Sequence, residues 1–236
     1  MLQWEFLESV KMPDGKGNMD LMRRGKEMII RLDDHELMGT RVHGSEEALA
    51  DLAFDHLDVL YPDKNVSVLV GGLGVGFTAA AALRRAGPAG KVVVAELLEA
   101  IARWNEGELG DAAGHPMRDE RAELVISDVA ALIKKPPRRW HAILLDVDNG
   151  PKSFTQLANS QLYSPQGLQS TWDALHPGGM LAVWSAHEDK SFTLRLQRAG
   201  FDTKFHRVRA RGAKGGNLHF IWTAIRSDYE SRGRRG

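Results

Sequence analysis

The sequence predicts an α/β fold: a seven-stranded sheet of five parallel strands and a C-terminal antiparallel hairpin, preceded by a small N-terminal β appendage. Three observations carry this reading. From residue 66 onward, near-continuous apolar segments alternate with helical patterns. Two late strand-like segments are separated only by the five residues "GAKGG". The first 42 residues break into short strand patterns at Asp-Gly and Gly-Asn turns. Parallel strands covered by helices on both faces read as apolar runs, whereas a five-residue connection is too short for a crossover helix and makes a hairpin.

Residues 1–44 form the appendage, with "LQWEFLESVKM" and "MDLMRRGKEMIIRLDDHELMGTRV" on either side of the turn "PDGKGN". The main domain spans 45–226 and opens on a predicted helix, "GSEEALADLAFDHLDVLY". Ser45 stands in the capping position, and Glu46 and Glu47 occupy the first turn, where the helix dipole favours negative charge. The strands "VSVLVGG", "KVVVAEL", "AELVISD", "HAILLDVD" and "MLAVWSA" follow. The helices "FTAAAALRRA", "LEAIARWN", "VAALIKK" and "SPQGLQSTWDAL" connect them, and "KSFTLRLQRAG" leads into the hairpin "FDTKFHRVRAR" and "NLHFIWTAIR". Residues 227–236 read as a frayed basic tail.

Thirty-one Lys and Arg balance thirty-one Asp and Glu, so no global field draws in nucleic acid or an anionic membrane. The sequence has no cysteine, which removes disulfides, thiolate nucleophiles and cysteine metal sites together. No apolar run reaches the roughly 18 residues of a membrane span, and no signal-peptide pattern is visible, so a soluble cytoplasmic protein is expected. The nine histidines show no metal-ligand spacing such as His-Glu-x-x-His, and no metal is expected. An appendage able to pair across a two-fold axis suggests a homodimer.

The chemistry gathers at the strand ends. Gly71, Gly72, Gly74 and Gly76 end the first parallel strand and open onto a helix N-terminus, where open α/β sheets bind ligands. Close helix–strand packing needs the same glycines, so they do not choose a ligand alone. Glu96 ends the second strand, twenty residues beyond Gly76, where a carboxylate accepts hydrogen bonds from both hydroxyls of a ribose or serves as a solvated cap. Asp128 ends the third strand and either accepts from an adenine amino group or caps the next helix. Asp146 ends the fourth, followed closely by Asp148 and Asn149. Paired acids there suit recognition of a cationic amine or removal of its proton, and an Asp/Asn/Gly turn is the alternative. Tyr163 and Gln166 fall in a later loop expected to cover the crevice. His187, with Ser185, Glu188 and Asp189, follows the fifth strand on the site side and is a candidate for the acceptor pocket, although capping explains the acids equally well. His141, Trp172 and Trp184 are expected to be structural.

Taken together, "VLVGGLGVG", Glu96, "RAELVISD", "ILLDVDNGP", "LYSPQGL" and "ALHPGGMLAVWS" resemble the spermidine synthase family, within the class I methyltransferase-like Rossmann fold. The stretch "RGKEMIIRLDDHELMGTRVHGSEEALADLA" resembles that family's N-terminal β-hairpin and first helix, so the likeness runs from about residue 25 to 225. The resemblance implies a transferase that seats S-adenosylmethionine or its decarboxylated form on Gly71 to Gly76, with the ribose on Glu96 and the adenine near Asp128. It also implies a small-molecule amine acceptor oriented and deprotonated by Asp146, with loss of methylthioadenosine. The sequence departs from the family at three places. Leu73 stands where the family keeps an aspartate, "DVDNGP" shortens the acid–x–x–acid–Pro stretch, and Ala48, Leu49 and Ala50 occupy the neighbourhood of a Tyr-His-Glu or Tyr-Gln-Glu cluster. Methyl transfer to a small molecule, an NAD-dependent oxidoreductase and a non-catalytic nucleoside-binding protein are the other readings, and the terminal hairpin argues against the oxidoreductase.

Overall fold

Alternating apolar and polar residues at the N-terminus fold as a four-stranded antiparallel sheet, β1 (Glu5–Lys11), β2 (Asn18–Arg24), β3 (Glu27–Leu32) and β4 (His35–Gly39), paired in chain order. The computed structural model describes residues 2–13, 15, 17–147 and 161–227, so Asp148, Asn149 and nearly all of the basic tail lie outside the described residues. Met19, Leu21, Met28 and Ile30 bury one face of this sheet. Its rim is tied to the main body by polar contacts. Arg23 pairs with Glu108, and Glu8 pairs with Arg103 and accepts from the Trp104 indole N–H at 2.8 Å.

Helix α1 (Gly44–Leu60) presents Leu49, Ala50, Ala53, Phe54 and Leu57 inward at helical spacing. Ser45 does not cap it. The helix starts two residues earlier, with His43 at the cap and no side-chain cap bond, and the Gly44 N–H is taken by the Ala210 carbonyl at 2.8 Å. Ser45 is left inside the first turn, fully buried. Helix α2 (Phe77–Arg85) lies against α1 and is clamped to it by Arg85, which binds Asp51, Asp55 and Asp58.

The main sheet comprises β5 (Ser67–Gly71), β6 (Lys91–Glu96), β7 (Ala122–Ile126), β8 (Trp140–Leu145), β9 (Leu175–Ser185), β10 (Asp202–Arg209) and β11 (Leu218–Ile225), in the order β10-β11-β9-β8-β5-β6-β7. Strands β5 to β9 run parallel, and β11 and β10 are antiparallel additions. This is the predicted architecture. Alternate residues of β5 feed two cores: Val68 and Val70 join the layer of α1, α2 and the N-terminal sheet, and Leu69 joins the layer on the other face. That other layer holds α5 (Val129–Lys134), α6 (Pro165–Ala174) and α7 (Lys190–Arg198), while α3 (Glu99–Glu106) and the short α4 (Glu108–Asp111) follow β6. The helix α6 is one residue shorter than predicted at each end, because Ser164 serves as its N-cap and Leu175 pairs with Trp140 and begins β9.

His141 is structural, as expected. Its Nδ1 accepts from the Ser67 amide at 2.9 Å, at the opposite end of β5 from the glycines, and its ring lies against Tyr61 and His176. Burial, helped by His176, pushes its pKa down to about 4, so it is neutral near pH 7.

Candidate functional site

Strand order reverses between β5 and β8, and a cleft opens beyond their carboxyl ends, where open α/β sheets bind ligands. The turn after β5 builds its floor. Gly72 has φ +88°, and a Cβ there would sit 2.6 Å from the Asp146 carbonyl oxygen, so this turn can approach β8 only as glycine. Asn105 on α3 holds the next part of the turn by donating to the Gly74 carbonyl at 2.7 Å and the Ile101 carbonyl at 2.9 Å.

Two lobes share this floor and meet at Met38, Gly74 and Asp146. The first, about 730 Å³ including its open mouth, lies over β5, β6 and β7. Leu97, Leu98, Ile101 and Val129 form apolar walls, and Met12 and Met19 of the N-terminal sheet close the far side. Glu96, only 6% exposed, is oriented by two backbone amides, Leu73 N–H to Oε2 and Leu98 N–H to Oε1, each at 2.9 Å. Asp128 caps α5, its Oδ1 accepting the Ala130 amide at 2.8 Å, and the residue also lines the lobe.

The second lobe, about 580 Å³, lies between α1, α2 and β4, with Leu37, Leu73, Val75, Phe77 and Trp184 as its apolar lining. Its polar residues are Asp146 and Glu46. The Thr78 hydroxyl of α2 donates to Asp146 Oδ2 at 2.6 Å. Glu46 receives the Ser45 hydroxyl at 2.5 Å. Burial, then the negative charge of Asp146, pushes the Glu46 pKa up to about 7. The two lobes carry four ionisable side chains, Glu46, Glu96, Asp128 and Asp146, and no Lys, Arg or His among the described residues that line them.

Gly71, Gly72, Gly74 and Gly76 fall at this turn, although Gly71 packs beneath the cleft against Val129 and Leu145. Three predicted positions fall elsewhere. Tyr163, in the turn that leads into α6, is buried edge-on against Phe192 in the second core rather than lying over the crevice. His187 is exposed in the turn after β9, where its N–H is held by Ser185 Oγ at 3.1 Å. Neither it nor Gln166 lines either lobe, and Asp189 caps α7 and pairs with Arg195. Trp184, expected in the core, lines the second lobe, because it sits on the β9 face turned toward α1. Asp148 and Asn149 lie outside the described residues.

Sequence reasoning missed Glu46 as a site residue, together with Thr78, Asn105 and the three methionines. Glu46 was visible only as a first-turn acid, and Thr78 only as the second residue of the helix after the glycines. The methionines carried no local signal, since tertiary docking of the N-terminal sheet brings them to the cleft.

No protein-family model matches the sequence, and no curated protein matches it. Solved structures do match. A spermidine synthase in complex with the transition-state analogue AdoDATO superposes with TM-score 0.73 at 19% identity, over 94% of this chain and 74% of that one. The spermidine synthase from Thermotoga maritima gives TM-score 0.71 at 18% identity, over 94% of this chain and 73% of that one. At this identity the likeness is one of fold: the chain has a spermidine synthase-like fold, N-terminal sheet included.

Proposed function

We propose that the protein is an aminopropyltransferase that takes decarboxylated S-adenosylmethionine as donor and a small-molecule amine as acceptor. The observation that carries this is the sign of the cleft: every ionisable side chain among its described lining residues is a carboxylate. The decarboxylated donor presents a sulfonium and an ammonium, both complementary to such a cleft. Intact S-adenosylmethionine adds a carboxylate, for which the described lining offers no cationic partner. One of the similar folds holds the analogue AdoDATO, which supports the same class of ligand.

In this reading Gly72 and Gly74 let the nucleoside lie close to the backbone. Glu96, oriented by its two amides, receives the ribose hydroxyls, and Asp128 faces the adenine amino group between the walls of Leu97 and Val129. The acceptor amine enters the second lobe as an ammonium and is attracted by Asp146 and Glu46. Once it has lost a proton, its nitrogen attacks the methylene beside the sulfonium. The carbon–sulfur bond breaks with its electron pair remaining on sulfur, and neutral methylthioadenosine leaves. Catalysis is then alignment plus charge stabilisation in a partly desolvated cleft.

The test is release of methylthioadenosine from the decarboxylated donor in the presence of a panel of diamines and polyamines. At least one amine is expected to give turnover, and Asp146→Asn is expected to lower kcat by about 10²-fold or more with donor affinity retained. Absence of turnover with every amine, combined with methyl transfer from S-adenosylmethionine, would establish the methyltransferase reading instead.

A further inference from the structure

We propose that Glu46 is the group that takes the acceptor's proton, and that Ser45 and His219 form the path by which it leaves the cleft. The proposal rests on the amine-transfer reading above. Its basis is a three-residue hydrogen-bonded chain from the cleft to the hairpin strand β11. Ser45 is fully buried, and its Oγ lies 2.5 Å from Glu46 Oε2 and 2.8 Å from His219 Nδ1. The Gly44–Ala210 bond also brings the hairpin strand β11, and with it His219, against the start of α1.

A serine hydroxyl has one hydrogen and cannot donate to both neighbours. When Glu46 is ionised, Ser45 donates to it, and His219 must carry its own proton on Nδ1 to donate to Ser45. When Glu46 is protonated on Oε2, it donates to Ser45, Ser45 donates to Nδ1, and the His219 proton sits on Nε2. The charge of Glu46 and the tautomer of His219 are therefore linked through one hydrogen. From the second arrangement, Glu46 passes its proton to Ser45, the Ser45 hydrogen moves to His219 Nδ1, and the imidazolium releases its Nε2 proton to solvent, which gives the first arrangement. The ionised Glu46 then takes the acceptor's N–H proton, and His219 returns to the Nε2–H tautomer by exchange with solvent, which restores the second. The ammonium acceptor and dicationic donor thus become a product carrying two charges, neutral methylthioadenosine and one released proton.

The surroundings fit each role. Glu46 faces Asp146 across the lobe, and its neighbour Glu47 is engaged by Arg84 and His43 on the outer side of the helix. Asp146 is already bound by the Thr78 hydroxyl, whose oxygen also lies 3.4 Å from the Glu46 carbonyl. Burial, then His187, holds His219 below the usual histidine range, so it passes a proton on rather than keeping it. The edge of Trp184 packs against its ring at a centroid distance of 4.9 Å.

Two measurements test the proposal. Nitrogen NMR of His219 should show Nδ1–H dominant above the Glu46 titration at about 7 and Nε2–H growing below it, and Glu46→Gln should abolish that change. A tautomer that stays constant with pH in the wild type overturns the link. With the decarboxylated donor and the best amine of the panel, Ser45→Ala should lower kcat about 10-fold or more and alter the pH profile, with donor affinity intact and Ser45→Thr restoring the rate. Unchanged kcat and pH profile in Ser45→Ala overturn the path even if the enzyme turns over. Absence of any wild-type turnover overturns the reaction reading itself, and with it the role given to Glu46, whatever the tautomer shows.

Discussion

At Glu46, burial and the charge of Asp146 both favour the neutral acid, and its pKa in the folded chain, about 7, lies above the ordinary value of 4.5. The folded state therefore binds this proton more tightly than the unfolded state, so ionising Glu46 costs stability as pH rises through that window. Replacement by glutamine removes the cost. Glu46→Gln should match the wild type near pH 5 and exceed it by about 1–3 kcal/mol near pH 8 in urea melts. An equal gain at both pH values would contradict the assignment. Gly72 makes a different residue-scale demand, since a side chain there meets both a left-handed φ and the Asp146 carbonyl. Gly72→Ala should lose about 2–4 kcal/mol of stability, and calorimetry should show weakened donor binding, because the floor of the first lobe must move away from β8. Wild-type stability together with wild-type affinity would refute that account of the turn.

At the scale of elements, the second lobe depends on α1 and α2 staying together, since α1 carries Ser45 and Glu46 and α2 carries Thr78. Arg85 provides the clamp, bound at 3.1 Å to Asp51 and at 2.9 Å to Asp55 and Asp58, with Lys64 also on Asp58 at 3.3 Å. Burial at Asp58 works to raise its pKa, but the hydrogen bonds and charges of Arg85 and Lys64 outweigh it and hold the carboxylate below its usual range. A depressed carboxylate contributes stability above its ordinary pKa and loses it as pH falls below that range. Arg85→Met should therefore cost about 1–2 kcal/mol at neutral pH, as measured by denaturation, with the difference closing in acid. A penalty that persists unchanged at about pH 3 would mean that packing of the arginine stem, not the ion pairs, holds the helices. The strands themselves were legible because their signals are local: an apolar run of five or six residues, a helix-length connection, and the short "GAKGG" that forbids a crossover. Ser45 misled for the same reason. A capping rule sees only neighbours in sequence, and the Gly44 amide was satisfied by Ala210 from the other end of the chain.

For the molecule as a whole, zero net charge conceals a local imbalance, with carboxylates alone among the ionisable groups of the described residues that line the cleft. The first lobe was readable from sequence, because Gly72, Gly74, Glu96 and Asp128 sit at strand ends whose position the fold dictates. The second lobe was readable only at Asp146 and Gly76. Met38 and Glu46 reach the cleft through the docking of the N-terminal sheet and α1, and Trp184 through the face that β9 turns toward them. Pairings such as Glu8 with Trp104 and Arg23 with Glu108 set that docking, and no local pattern announces them. The same long-range packing took Tyr163 into the core and left His187 exposed. The central claim is that this cleft selects a cationic sulfonium nucleoside without a carboxylate, and calorimetry with S-adenosylmethionine and its decarboxylated form tests it most directly. The account predicts that the decarboxylated donor binds at least about 10-fold more tightly, a difference of about 1.4 kcal/mol, whereas equal or tighter binding of the carboxylate-bearing form would contradict it.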